Sequence, residues 1–374
     1  MKVLVVDDSA LMRRQLTELL TAEPDIEVAT ARTGAEALEL LASFAPDVVT
    51  LDVTMPEMDG LACLERIMVE NPRPVVMVSA LTQQGAEETM KALRLGAVDV
   101  VHKPGIGSRA VSGIRRELVE KVRAAAGARL RRARNLRERI ALTRARIIGD
   151  AELPAAPPAA APSPAESPLA EPPLAEPIPA GPGVVLMGVS TGGPSTLEEI
   201  LPLLPAGFPW PVVVAQHMPP SFTATLARRL DQVCALRVVE AAQPTPVEAG
   251  TIIIARGGAD AVLTVRGGRL MVMPVPSDPG RPWHPNVDRL VASALQHVDP
   301  ARLVGVLLTG MGNDGAATMA DLHGRGGRTI AESEESAVVF GMPGELVRLG
   351  GADAVLPAEQ IAAQLARWIP AGRG

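Results

Sequence analysis

Residues 151–182 cannot belong to a packed domain, and that divides the chain in two. The stretch holds eleven prolines, many alanines, four glutamates and no basic residue. Proline fixes its own φ and donates no backbone hydrogen bond, so neither helix nor sheet tolerates it at this density. The stretch also buries too little apolar surface to offset the entropy of ordering it. It is expected to be an extended, disordered tether. A chain of 374 residues then has room for one ordinary domain on each side. The expected division is 1–122, a connecting region 123–182, and 183–370. Aromatics are 2% of the chain and tyrosine is absent, so both cores must rely on Leu, Val, Ile, Ala and Met.

Before the tether, short apolar runs alternate with helical patterns. The runs cover 3–6, 28–30, 48–51, 75–79 and 98–101, and Leu11, Leu16, Leu19 and Leu20 show the intervening spacing of three to five. Five βα units predict a doubly wound, flavodoxin-like parallel sheet whose reactive edge is the strand C-termini. At those ends stand Asp7, Asp8, Asp52, Ser79 and Lys103. Converging carboxylates repel one another unless a hard cation binds them, and Mg²⁺ suits such oxygen ligands. A lysine and a hydroxyl at the same edge would hold phosphate oxygens. An aspartate so placed can act as a nucleophile and carry an acyl phosphate. Any one of these residues alone is an ordinary loop-end polar group; five at the ends of four strands point to one site.

Residues 1 to about 122 resemble a response-regulator receiver domain: Asp-Asp-Ser after the first strand, Asp52 with Met-Pro and Asp-Gly downstream, Ser79 and Lys103-Pro104. The resemblance implies Asp52 as phosphoacceptor, Asp7, Asp8, Asp52 and the Thr54 carbonyl as the Mg²⁺ site, and Ser79 and Lys103 as phosphoryl contacts. It also implies a cis bond between Lys103 and Pro104. Receivers commonly carry Phe or Tyr three residues before this lysine, where this chain has Val100.

An apolar stripe from Val111 through Leu118, Val122 and Leu130 to Ile140 predicts that the last helix overruns this domain. Residues 129–146 contain eight arginines and one acid, Glu138. No helix-turn-helix or zinc pattern accompanies them, so a docking or self-pairing helix is the better reading than nucleic-acid binding. The net charge of −6 gives no general case for nucleic acid or an acidic membrane either. Cys63 and Cys234 lie far apart without metal-ligand spacing, as in a reducing compartment. No stretch approaches the 18 or so apolar residues of a membrane span, and the sequence opens on Lys2-Val-Leu-Val-Val-Asp7 rather than on a basic region followed by a long apolar segment. A cytoplasmic protein is expected.

Beyond the tether, the run 184–189 leads into Gly188-Val-Ser190-Thr-Gly192 and a helical pattern from Pro194. This matches the G-x-S-x-G turn that lifts a serine hydroxyl above a sheet. A glycine-rich turn with an incidental serine, or a phosphate-binding loop, fits the same letters. His217 and Asp314 each lie just past another apolar run. Serine, histidine and aspartate at strand C-termini would share one crevice and supply nucleophile, base and orienting acid. His284, with Asp288 nearby, is the rival base. His217 is preferred because it alone ends a clear apolar strand.

Residues 183 to about 370 resemble the catalytic domain of the chemotaxis protein-glutamate methylesterases. The matching stretches are Gly188-Val-Ser-Thr-Gly-Gly-Pro, Gln216-His-Met-Pro-Pro, Pro285-Asn-Val-Asp288, Leu308-Thr-Gly-Met-Gly-Asn-Asp-Gly315 and Val338-Val-Phe-Gly-Met-Pro343. The resemblance implies an α/β parallel-sheet esterase domain with Ser190 as nucleophile, His217 as base and Asp314 as orienting acid. Thr191 and the Met311 N–H fall at its oxyanion site. It implies hydrolysis of glutamate γ-methyl esters on a methyl-accepting chemoreceptor, deamidation of receptor glutamines, and a histidine kinase of the CheA type as phosphodonor. It implies no cofactor in the esterase, no nucleic acid and no direct membrane insertion. Relatives usually have proline and histidine where this chain has Arg256 and Asp260. Two other readings stay open: a non-catalytic phosphoryl sink or docking module, and an esterase of a chemosensory pathway that does not serve motility.

Overall fold

The computed structural model describes residues 1–79, 83–103, 111–128 and 183–370. Pro104, the arginine run and the tether lie outside the described residues, and so do the expectations made for them.

The N-terminal sheet is built from β1 (Lys2–Val6), β2 (Glu27–Ala31), β3 (Val48–Asp52), β4 (Val75–Ser79) and β5 (Asp99–His102). All pairings are parallel, in the order β2-β1-β3-β4-β5. The connecting helices are α1 (Ala10–Thr21), α2 (Gly34–Ser43), α3 (Gly60–Glu70) and α4 (Gln83–Arg94), with α5 (Val111–Ala126) closing the unit. The first three start at side-chain caps. Ser9, Thr33 and Asp59 accept from the backbone N–H groups of Met12, Glu36 and Ala62, satisfying donors that a helix start leaves free. The central strands β3 and β4 are buried along their whole length, which is why they read as continuous apolar runs rather than alternating ones.

The C-terminal sheet comprises β6 (Val184–Val189), β7 (Val212–Gln216), β8 (Arg237–Ala241), β10 (Thr251–Ala255), β13 (Leu303–Leu307), β14 (Arg328–Glu332) and β15 (Ala354–Leu356). Its order is β15-β14-β13-β6-β7-β10-β8, again all parallel. The chain runs outward from β6 in one direction, then returns to β13 and runs in the other. A crevice therefore opens above the C-termini of β6 and β13. The helices α6 (Gly193–Ile200), α7 (Pro220–Asp231), α8 (Val287–His297), α9 (Ala316–Gly324), α10 (Met342–Arg348) and α11 (Ala358–Trp368) complete the doubly wound α/β architecture.

One part of this domain departs from the sequence expectation. Strands β9 (Thr245–Pro246), β11 (Ala259–Arg266) and β12 (Arg269–Pro276) form a separate antiparallel sheet. Its hairpin turns at Gly267 and Gly268, both with positive φ, the backbone a tight two-residue turn requires. This hairpin carries Asp260 beside the crevice.

The two domains are docked. Ala86, Met90 and Leu93 of α4 are buried in one apolar cluster with Met218, Phe222 and Leu226 around α7.

Gly60 ties the N-terminal fold to its site. A Cβ there would lie 2.0 Å from the Asp52 carbonyl oxygen and 2.9 Å from the Val53 Cα, both rigid backbone. Gly60→Ala is expected to destabilise this domain by about 2 kcal/mol or more, in the range of forced overpacking. Thermal unfolding with a probe in this domain checks it, and an unchanged midpoint would contradict the contact.

Candidate active site

In the N-terminal domain, ligand oxygens of Asp7, Asp8 and Asp52 all lie within 4.8 Å of one another. Asp7 and Asp52 are buried and Asp8 is exposed. Lys103, from the end of β5, reaches between them, with Nζ 2.6 Å from Asp52 Oδ2 and 3.1 Å from Asp7 Oδ2. Burial and the Asp7 charge raise the Asp52 pKa; the Lys103 hydrogen bond opposes them without cancelling them. The Thr54 N–H donates to Asp52 at 3.3 Å. Ser79 is buried at the end of β4, and its hydroxyl donates to the Gly85 carbonyl at 3.3 Å. The sequence-predicted residues are thus gathered at one edge, and an all-oxygen cluster of this charge fits a hard divalent cation.

In the C-terminal domain, the parallel register Val189↔Gln216 places Ser190 and His217 side by side, one residue past β6 and β7. The Ser190 N–H donates to the Thr309 carbonyl at 2.9 Å, and the Ser190 carbonyl accepts from Gln216 Nε2 at 3.0 Å. Gly192 then takes φ +80°, a left-handed turn that glycine adopts without a Cβ penalty, and α6 begins. A Cβ at Gly310 would come within 2.7 Å of the Ser190 Cβ, so the loop that leads to Met311 packs directly on the serine.

His217 Nε2 donates to Asp314 Oδ2 at 2.8 Å. Asp314 also accepts from Asn286 Nδ2 at 2.8 Å, the Val287 N–H at 2.7 Å and the Asp288 N–H at 3.1 Å. The last two open α8, whose positive end favours an anion. Burial alone would raise Asp314; the His217 bond and these N–H groups outweigh it and hold the carboxyl below its usual range. The other imidazole nitrogen, Nδ1, is buried and has no hydrogen-bond partner among the described residues. In the neutral imidazole, a proton on the nitrogen that faces a carboxylate leaves the lone pair on the other. Ser190 follows the strand position that pairs with Gln216, so this nitrogen belongs to the residue beside the serine turn.

The rival base is differently employed. His284 Nδ1 meets Asp260 Oδ1 at 2.8 Å, not Asp288. Asp288 instead accepts from the Thr318 hydroxyl at 2.8 Å and faces Arg281 at 3.5 Å. His297 ends α8, and His323 lies in the last turn of α9, paired with Asp353 at 3.1 Å. Sequence reading passed over Asn286, which holds Asp314, and Trp283, whose indole stacks on the His217 ring. Those ring centroids are 5.8 Å apart and the planes 12° apart. Both residues flank His284 and Pro285, where the sequence was read for a rival base and for the Pro-Asn-Val-Asp match and not for these contacts. Trp283, Arg281, Asn286 and Asp314 help to line a cleft of about 450 Å³.

The N-terminal domain covers the serine turn. Thr191 Oγ1 donates to Asp99 Oδ2 at 2.6 Å, the Gly192 N–H donates to the Val98 carbonyl at 3.1 Å, and Ser195 Oγ donates to the Leu93 carbonyl at 3.2 Å. Asp99 is held on its own side by Lys121 Nζ at 3.1 Å. Burial would lower the Lys121 ammonium, but the Asp99 and Glu117 carboxylates outweigh it and its pKa is raised. Val100 is buried, and its carbonyl accepts from Lys121 at 2.7 Å. Besides Asp99, His102 of this strand reaches across, with its ring 5.4 Å from Phe222.

Residues 185–365 match the CheB methylesterase family, and residues 3–113 match the response regulator receiver domain. The protein-glutamate methylesterase/protein-glutamine glutaminase 3 of Rhodospirillum rubrum is 56% identical over 98% of this chain and 96% of its own length. The protein-glutamate methylesterase/protein-glutamine glutaminase 2 of Rhodopseudomonas palustris is 51% identical over 98% of both chains. Among solved structures, the Thermotoga maritima CheB methylesterase catalytic domain shares 40% identity at a TM-score of 0.48. That match covers 50% of this chain and 98% of that one.

Thr191→Val removes the hydroxyl that crosses to Asp99 while keeping the side-chain shape. A hydrogen bond to a charged group contributes about 1.5 kcal/mol. Amide exchange at Gly192, whose N–H also crosses the interface, should therefore accelerate roughly tenfold. Unchanged protection at Gly192 would mean that this bond does not hold the domains together.

Proposed function

The chain belongs to the CheB methylesterase family, and from this membership and the buried His217–Asp314 pair beside Ser190 we propose how its geometry performs the family's reaction. It is a response-regulator hydrolase, a protein-glutamate methylesterase and protein-glutamine glutaminase that acts in chemotaxis-like receptor adaptation and is regulated by phosphorylation. The observation that carries the mechanism is the unpartnered Nδ1 of His217 next to the serine turn. Ser190 Oγ attacks the γ-carbonyl of a methylated glutamate on a chemoreceptor and gives its proton to His217 Nδ1. Asp314 stabilises the imidazolium. N–H groups at Thr191 and Met311 receive the oxyanion. Methanol leaves with the proton from His217. Water, deprotonated by the same nitrogen, then cleaves the acyl-enzyme. A glutamine follows the same course with ammonia as leaving group. A phosphoryl sink without catalysis would have no use for this assembled triad.

The working units are residues 1–122 and 183–370, joined by 123–182. Asp52 accepts the phosphoryl group from a histidine kinase of the CheA type, with Ser79 and Lys103 contacting its oxygens. Asp7, Asp8, Asp52 and the Thr54 carbonyl would hold Mg²⁺, which when bound offsets the charge of the phosphoryl oxygens. Lys103 and Asp99 flank or begin the same four-residue strand, about 13 Å end to end at the usual rise. A shift of Lys103 towards a phosphorylated Asp52 therefore acts on the strand that holds Thr191. The added negative charge moves the population towards undocked, active enzyme. The setting is cytoplasmic; no helix among the described residues is long and apolar enough to cross a membrane.

Methanol release from methylated receptor should fall about 10⁴-fold or more in Ser190→Ala, the scale of losing a triad member; near-normal release would sink the assignment. Release by the intact chain should rise when a small-molecule phosphodonor and Mg²⁺ are added. Chelation with EDTA should remove that rise and leave the basal rate. A chain lacking residues 1–122 should exceed the unphosphorylated full-length protein, and equal rates would end the occlusion account.

A further inference from the structure

Asp260 belongs to the antiparallel hairpin, and its hydrogen bonds and ion pairs among the described residues are to residues other than Ser190, His217 and Asp314. Its side chain is fully buried. The carboxylate accepts from His284 Nδ1 at 2.8 Å, from the Asn286 N–H at 2.8 Å and from the Asp278 N–H at 3.2 Å, and it pairs with Arg289. Every one of these donors belongs to segment 278–289, between β12 and the first turn of α8. The hairpin thus holds the segment through one carboxylate, while Asn286, Val287 and Asp288 tie its far end to Asp314.

The same segment supplies two restraints on the His217 ring. Asn286 donates to Asp314, and the start of α8 donates to it twice; Asp314 in turn grips the ring edge at Nε2. Trp283 lies on the ring face. A hydrogen bond at one edge leaves an imidazole free to rock about the bond. A stacked aromatic plane removes that freedom and also favours the charged ring. Edge and face together fix the direction of Nδ1.

We propose that Asp260 is a positioning residue for His217, acting through segment 278–289 to hold Trp283 on the face of the imidazole and Asn286 on Asp314. This rests on the esterase reading above. Arg289 and His284 are the other half of the device: they lock the segment to Asp260.

The test uses the full chain, activated by phosphodonor and Mg²⁺, with kcat and KM for methanol release from methylated receptor. Asp260→Asn and Trp283→Ala should each lower kcat roughly 10- to 100-fold and leave KM within about 2-fold, the pattern of a displaced catalytic group. Trp283→Phe, which keeps a stacking ring, should restore kcat to within about 3-fold of the parent. The double variant Asp260→Asn/Trp283→Ala should lose little more than the worse single one, because both act through one ring. Melting curves identify any variant that fails to fold, and Trp283→Ala, at a partly exposed site, carries the test if Asp260→Asn does not fold. Parent-like kcat in folded Trp283→Ala, or a loss confined to KM, would overturn the positioning role while parent release and its absence in Ser190→Ala left the esterase reading intact. No release from the parent chain would bring down both.

Discussion

A charged carboxylate can stay inside a protein only if donors surround it, and Asp314 depends on this rule. Alone in that site it would take up a proton and could no longer orient or stabilise an imidazolium. Two N–H groups of α8, the Asn286 amide and His217 itself converge on its two oxygens. Removing one partner of such a buried charge typically costs about 3–5 kcal/mol, so the carboxylate constrains its whole neighbourhood. Helix α8 must start where it does, the loop before it must bring Asn286 inward, and β13 must end beneath. Asp52 obeys the same rule in the other domain, where Lys103 offsets part of the repulsion from Asp7.

The interface between domains is polar at the point that matters. Apolar packing of α4 against α7 supplies area, but beside Ser190 the contacts are hydrogen bonds from Thr191, Gly192 and Ser195 to Asp99, Val98 and Leu93. Bonds of this kind are modest individually, which suits a contact that has to break. Asp99 is not left unpaired when it does, because Lys121 stays on the same side of the interface. The buried ion pair lets the receiver face open without stranding a charge.

Much of this was legible in the sequence. Asp7, Asp8, Asp52, Ser79 and Lys103 ended apolar runs, and strand ends in a parallel sheet meet at one edge, so periodicity alone placed them together. Ser190, His217 and Asp314 followed by the same logic. The antiparallel sheet was not legible, since 259–276 mixes buried, half-buried and exposed positions without a clean alternation. The roles of Trp283, Asn286 and Asp260 were not legible for a different reason. Their roles depend on contacts between segments far apart in sequence, and nothing local marks a tryptophan as a stacking partner or an aspartate as a clamp. His284 shows the converse: its sequence neighbour Asp288 suggested a pair, and the hairpin supplied a nearer carboxylate.

The central claim is that a complete serine–histidine–aspartate site is held shut by the docked receiver. The direct measurement is the rate at which a small serine-reactive phosphonate labels Ser190, with the protein unphosphorylated and then with phosphodonor and Mg²⁺ present. The account predicts slow labelling that accelerates on phosphorylation, located at Ser190 by mass spectrometry. Labelling at the same rate in both states would contradict the gate, and failure to label Ser190 in either would contradict the activated nucleophile.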